Sequence, residues 1–230
     1  MRKHQKKKSQ SNFLKVFYKI LFKHFGPQHW WPGETQLEII VGAILTQNTN
    51  WGNVEKAIAN LKKQKILTPT ALRKISHNEL AALIKPAGYF NVKAKRLKNF
   101  IDYLSAEYGG SLAQMEKENL FTLRLKLLTI NGIGPETADS ILLYAFNKPS
   151  FVVDAYTKRF LSRHNIISND AKYSDVKEIF ERSLRKDTQL FNEYHALIVS
   201  LGKYYCKTKP RCEECPIFKA GYPPNIELSC

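Results

Sequence analysis

The sequence predicts an all-α fold, and three observations carry that expectation. No stretch of the 230 residues alternates apolar and polar side chains as a half-buried strand would. Several helix starts carry recognisable capping signatures. The segment from Leu128 to Asp154 reads as a helix, a tight glycine hairpin, a second helix and a short apolar connection.

Taken in order, the chain opens on a basic arm over residues 1–12, expected to be disordered, with Arg2, Lys3, Lys6, Lys7 and Lys8. Lys15, Lys19 and Lys23 then recur every four residues through an otherwise apolar segment, which predicts an amphipathic helix with one basic stripe. That recurrence argues against an export signal, so a reducing cytoplasmic compartment, close to the nucleoid, is expected. Thr35-x-x-Glu38 is a capping box opening a helix over Gln36 to Gln47. Thr68 followed by Pro69 pairs a cap with proline at the first helical position. Ser76-x-x-Glu79 opens a short helix up to Lys85. Asn91 to Tyr108 is a long helix stopped by Gly109-Gly110. Asn119 to Leu128 leads into the hairpin, and Ala155 to His164, Ser174 to Lys186 and Thr188 to Gly202 are further helices. From Lys207 onward four prolines and three cysteines predict irregular structure. The turns Pro27 to Gly33 and Asn147 to Ser150 are the expected crossings between two lobes.

Charge narrows the partner. Lysine and arginine outnumber aspartate and glutamate by 36 to 20, giving a net charge of +16 and a pI near 9.6. Such a balance points to a polyanion, nucleic acid first. No apolar run approaches membrane length; Ile39 to Leu45, among the longest, has Glu38 beside it. All four cysteines fall within the last 25 residues, as Cys206-x5-Cys212-x2-Cys215-x14-Cys230. In a reducing compartment disulfides are not expected, and a clustered set suggests one metal site.

The hairpin carries the first functional signal. Gly132 and Gly134 flank Ile133, and Pro135 stands in the first turn of the following helix. Glycines permit positive φ and close backbone approach. A helix start presents free N–H groups, which suits a phosphate. Asp154 follows the apolar Phe151-Val152-Val153, a carboxylate directly after a buried segment. It also precedes a helix, where aspartate is a preferred cap, and both roles are compatible.

Hairpin, aspartate and cysteine loop, in that order, resemble the endonuclease III branch of the helix-hairpin-helix DNA glycosylases, from about Phe13 to Cys230. The resemblance implies a two-lobed all-α fold with the active site in the cleft between the lobes. One lobe is a six-helix barrel over 35–148 with the hairpin. The other combines 13–34 with 149–205, and 206–230 form an iron–sulfur loop. Asp154 maps to the catalytic aspartate, stabilising the positive charge that builds on the sugar and orienting or deprotonating water. Bifunctional relatives carry a lysine two residues after the second glycine, and its amine forms a Schiff base that permits strand cleavage. Here that position, in the substrate site, is Glu136, and a carboxylate forms no Schiff base. A monofunctional glycosylase using water is therefore expected. Lys148 and Lys158 are nearby amines outside the motif position.

His29-Trp30-Trp31-Pro32, with Leu45-Thr46-Gln47-Asn48-Thr49-Asn50-Trp51, resembles the 3-methyladenine glycosylase subgroup. Trp30, Trp31 and Pro32 would form the wall of a flipped-purine pocket, and Trp51 the facing ring. Stacked indoles favour a base made cationic by alkylation. These tryptophans are equally suited to packing as core. Gln47 maps to the glutamine that fills the gap left by the flipped nucleotide. Gly132, Ile133, Gly134, Lys93, Lys95 and Arg96 would contact phosphate without reading sequence, and Lys98 extends the basic face. A solvated lysine face is the plainer account of any single lysine there. The cysteine loop is close to the family's, with wider spacing before Cys230. It is expected to hold a structural [4Fe–4S] cluster, with zinc or no metal as alternatives. Lys207, Lys209 and Arg211 would face phosphate. The partner is double-stranded DNA, bound by a monomer, with no membrane role. Two other readings remain open: a bifunctional glycosylase/lyase on oxidised pyrimidines, and a non-catalytic DNA-binding module.

Overall fold

The computed structural model describes the backbone of residues 2–225 and the side chains of residues 12–225. Among them the regular structure is helical throughout, and no helix is long and apolar enough to cross a membrane. In chain order the helices are α1 (Arg2–Phe25), α2 (Gln36–Leu45), α3 (Trp51–Lys63), α4 (Pro69–Lys74), α5 (His77–Leu83), α6 (Phe90–Tyr108), α7 (Leu112–Glu116) and α8 (Leu120–Thr129). There follow α9 (Pro135–Ser140), α10 (Ala155–Arg163), α11 (Tyr173–Ser183), α12 (Thr188–Tyr204) and α13 (Pro216–Lys219). The chain divides into two compact units, Met1–Trp30 with Pro149–Cys230, and Trp31–Lys148.

The central unit, Trp31–Lys148, is built from capped helices. Thr35, Asn50, Thr68, Ser76, Ser111 and Asn119 each accept a hydrogen bond from the backbone N–H three residues on. Ser76 and Glu79 complete a reciprocal capping box. These bonds satisfy N–H groups that the helices cannot, and fix where each helix begins. The core joins Ile40, Val41 and Ile44 of α2 to Val54 and Leu61 of α3, Leu97, Phe100, Ile101 and Leu104 of α6, and Leu123 and Leu127 of α8. Inside it, Arg124 donates from Nε and Nη2 to Asp139 at 2.8 and 3.1 Å, pairing a fully buried carboxylate. After α9 the chain loosens into a π-helical turn over Ile141–Ala145, closed by Phe146 N–H on Ile141 O.

The flanking unit packs α1 by one face. Leu14, Phe17 and Leu21 are buried, while Lys15, Lys19 and Lys23 are exposed as the four-residue recurrence predicts. Phe151 stacks on Phe180 at 3.8 Å, and Tyr194 donates to Leu14 O at 2.8 Å.

Helices α2 and α5 end two residues short of expectation, at Leu45 and Leu83, and Glu38 accepts from Glu34 N–H rather than closing a capping box on Thr35; the larger differences from the sequence expectations are three. The segment expected to be a disordered arm is helical from Arg2, because no glycine or proline interrupts it before Gly26. α11 stops at Ser183 rather than Lys186, with Leu184 already extended. The tail expected to be irregular contains α13, started by Pro216.

Candidate functional site

The hairpin sits between α8 and α9 in the central unit. Gly132 has φ +97°, and a Cβ there would lie 2.2 Å from Arg96 Cγ, so both the backbone conformation and the close approach of Arg96 require glycine. Asn99 Nδ2 donates to Asn131 O at 2.9 Å and ties α6 to the hairpin. Gly134 caps α9 with ordinary negative φ and open space around it. Ile133 is 4 % exposed. Its side chain anchors the hairpin in the core, so what the turn can offer a phosphate is backbone, not the isoleucine side chain.

The cations of α6 divide into three kinds. Lys95 is exposed. Arg96 is half-buried, lying along Gly132 and donating from Nη1 to Gln47 Oε1. Lys93 corrects the expectation of a phosphate contact: it is 1 % exposed, and its Nζ donates to Leu45 O at 2.8 Å and Ala87 O at 2.7 Å. Its ammonium closes carbonyls at the ends of two helical segments and is withdrawn from solvent. Burial, then the neighbouring charge of Arg96, brings its pKa down to about 8.

Gln47 follows α2 and is held by both ends of its amide. Nε2 donates to Gly132 O at 3.0 Å and to Thr137 Oγ1 at 2.8 Å, while Oε1 accepts from Arg96. This link between the LTQNT stretch, the basic helix and the hairpin has no signature in the sequence.

Trp31 packs within the central unit, edge to face with Trp51 at 5.0 Å and 84°, and tilted on Tyr144 at 5.0 Å and 33°. Gly42 makes room for the pair: a Cβ there would be 3.3 Å from Trp31 Nε1 and 3.5 Å from Trp51 Cη2. Trp51 Nε1 donates to Glu55 Oε1 at 2.7 Å. Trp51, expected as a ring facing Trp31 across a base, here packs edge to face against it. Pro32 is exposed. Trp30 belongs to the flanking unit, where the Lys203 ammonium lies 5.7 Å from its ring. Tyr144, which packs on Trp31 from the π-helical turn, has no sequence signal within its apolar run.

In the flanking unit Asp154 is the N-cap of α10. Its Oδ1 accepts from Thr157 N–H at 2.7 Å and Thr157 Oγ1 at 2.8 Å. Its Oδ2 lies 3.5 Å from Nε2 of His195, a residue of α12 that is 4 % exposed. The carboxyl is 13 % exposed. Burial pushes its pKa up, but the charge and hydrogen bonding of His195 and the two Thr157 donors outweigh that and hold it below the usual aspartate value. The group is therefore an ionised carboxylate in a site with little water. His195 carries no sequence signature, being an isolated histidine in a helix of mixed composition.

Glu136 lies in the first turn of α9 and is exposed. The two amines outside the motif position are engaged: Lys148 Nζ donates to Glu116 O and Lys158 Nζ to Ala171 O, each at 2.9 Å.

Cys206, Cys212 and Cys215 line one small cavity with Phe160, Arg163, His164 and Phe218. Arg163 Nη1 donates to Cys206 Sγ at 3.2 Å, and Arg159 Nε to Cys206 O at 2.7 Å. Burial raises the Cys215 thiol, opposed by the N–H groups of Phe218 and Ile217 at the start of α13. Among the described residues no three histidine, cysteine or acidic side chains are grouped closely enough to hold a metal ion, and Cys230 lies outside those residues. The three thiols are the residue type that ligates a cluster, and Arg163 and the backbone N–H groups beside them are the kind of donors that hydrogen-bond to ligating sulfur, but as placed the thiols are not close enough together to hold a metal. Lys207 and Lys209 are exposed, whereas Arg211 is paired with Glu214.

The chain is similar to known proteins. Residues 41–186 match the family described as HhH-GPD superfamily base excision DNA repair protein. A protein of Methanocaldococcus jannaschii, provisionally named a DNA repair glycosylase, is 50% identical over 213 residues, 92% of this chain and 96% of that protein. Endonuclease III of Sulfolobus acidocaldarius is 31% identical over 180 residues, 77% of this chain and 78% of that protein. Among solved structures, H. pylori 3-methyladenine DNA glycosylase bound to 1,N6-ethenoadenine superposes with a TM-score of 0.73 at 30% identity, covering 84% of this chain and 97% of that one.

Proposed function

Because the chain belongs to the HhH-GPD superfamily of base excision DNA repair proteins and is a DNA glycosylase, we propose that it is a monofunctional one. It uses water, and its substrates are alkylated purines in double-stranded DNA. The observation that carries the reading is Asp154, an ionised carboxylate kept so against its own burial. The C1′–N bond breaks with its electron pair leaving on the base, and the carboxylate stabilises the positive charge left on the sugar. Water adds its oxygen to C1′ and gives up a proton, which Asp154 accepts. A purine alkylated at N3 or N7 is cationic before cleavage and departs neutral, so little acid assistance is needed.

Glu136 supports the absence of strand cutting, since no amine stands at the lyase position. Lys148 and Lys158 already serve backbone carbonyls. The substrate preference is supported by the 3-methyladenine glycosylase likeness and by the partly exposed ring of Trp31. The base is read extrahelically, and the protein acts as a monomer. Gly132 and Gly134 backbone, with Lys95 and Arg96, take the phosphates, and Gln47 stands beside them.

Cys206, Cys212, Cys215 and Cys230 hold a [4Fe–4S] cluster. Its role is to shape the loop, with no part in breaking the glycosidic bond. Elemental analysis and the visible spectrum of anaerobically purified protein distinguish iron from zinc.

The test is base release from duplexes with alkylated, oxidised, deaminated or mismatched bases, with borohydride added in parallel. Release from the alkylated duplex, lost in Asp154→Asn with binding retained, and no covalent adduct, is the expected result. A borohydride-trapped adduct in the wild type would overturn the monofunctional assignment, and undiminished release by Asp154→Asn would overturn the role of the carboxylate.

A further inference from the structure

The two oxygens of Asp154 are held differently. Oδ1 receives two donors from Thr157, a residue of the same helix turn that any aspartate cap would use. Oδ2 faces His195, forty-one positions away, on a different helix and 4 % exposed. A cap needs one oxygen, and the contact at the second is not explained by capping. An imidazole in the otherwise apolar buried run Tyr194 to Val199 is also an expensive choice for packing alone.

Resting on the reading of Asp154 as the catalytic carboxylate, we infer that His195 is a positioning residue for the reaction: its Nε2–H fixes Oδ2 in the orientation in which the carboxylate meets the sugar cation and the attacking water. Thr157 and His195 together clamp the carboxylate at both ends. The clamp removes rotation about the carboxyl bond, so the charge is aimed before the substrate arrives. At 3.5 Å the contact is long for a hydrogen bond. It leaves Oδ2 free to accept from water in addition, which a tighter partner would obstruct.

The experiment uses the full chain and compares single-turnover base release with affinity for a duplex carrying an abasic-site analogue. The variants are His195→Leu, His195→Gln and Asp154→Asn, with thermal melting as a check on folding. His195→Leu is expected to slow release about 10-fold to 100-fold, the range for losing a group that orients a catalytic residue, with affinity within about twofold of wild type. His195→Gln, whose Nε2 donor occupies nearly the same place as the imidazole Nε2, is expected to recover most of the lost rate. That rescue would not follow if the ring served only to pack. If His195→Leu fails to fold, the glutamine variant decides: near wild-type release supports the clamp, and a loss as deep as that of Asp154→Asn overturns it. Undiminished release in His195→Leu, with Asp154→Asn inactive, overturns the inference while leaving the catalytic aspartate standing. Undiminished release in Asp154→Asn removes the reading beneath it.

Discussion

Replacing Lys93 by methionine tests what a buried ammonium does in this fold. Burial, reinforced by Arg96, lowers the Lys93 pKa from 10.5 to about 8 in the folded chain. Unfolding restores the ordinary value. Between those two pH values the unfolded state binds more protons than the folded one, so stability rises with pH there. The whole gap is worth about 3 kcal/mol, and the interval from pH 7.5 to 9.5 captures about 2 kcal/mol of it. Methionine preserves most of the side-chain length and abolishes the titration. At pH 7.5 the variant loses the donor to Leu45 O and Ala87 O, about 1–3 kcal/mol for each unsatisfied carbonyl, but is relieved of the buried charge. These effects nearly cancel, so the slope with pH is the informative quantity. Urea unfolding of both proteins at both pH values, followed by circular dichroism, should show wild type gaining about 2 kcal/mol more than the variant. Equal gains would refute the burial argument. Salt titration of DNA binding supplies an independent arm. A phosphate contact contributes about 0.9 to the slope of log K against log salt, and Lys93→Met should leave that slope unchanged.

Arg124→Ala should lower stability by about 3–5 kcal/mol, because it takes two donors from the fully buried Asp139; thermal denaturation reads this, and a loss under about 1 kcal/mol would show the pair to be dispensable. Gly132→Ala combines a strained positive φ with a contact on Arg96. It should weaken binding to undamaged duplex severalfold, measured by fluorescence anisotropy, and unchanged affinity would remove the hairpin from the interface. Cys212→Ser should lose metal by elemental analysis in step with loss of the cavity-lining loop's protease resistance. Full metal content in that variant would exclude Cys212 as a ligand.

Much of the architecture was legible because it is local. Thr35, Ser76 and Asn119 announce helix starts by a side chain three residues from its target, a distance that any reading of the chain can see. The glycine hairpin and the order of hairpin, aspartate and cysteine loop are likewise strings. What stayed hidden depends on contacts between distant positions. Nothing about Lys93 distinguishes it from Lys95 until α6 is packed against the end of α2, and then one ammonium is inside and the other outside. His195 becomes meaningful only when α12 lies beside Asp154. Trp31 and Trp51 were recognisable as an aromatic set, but their edge-to-face contact follows from Gly42, whose missing side chain lets both rings close in. The π-helical turn that presents Tyr144 has no pattern apart from an apolar run.

The division of the chain into units carries a consequence for the order of its manufacture. The hairpin unit is one continuous stretch, Trp31–Lys148, whereas the unit holding Asp154 is assembled from both ends of the sequence. During synthesis the continuous stretch can reach its native contacts while later residues are still being added. The other unit must wait until α12 has emerged, because α1 packs on residues translated long after it. A chain interrupted between Lys148 and His195 would thus contain the whole hairpin unit but neither α12 nor the His195 contact to Asp154. Folding of the hairpin unit can therefore precede assembly of the carboxylate site.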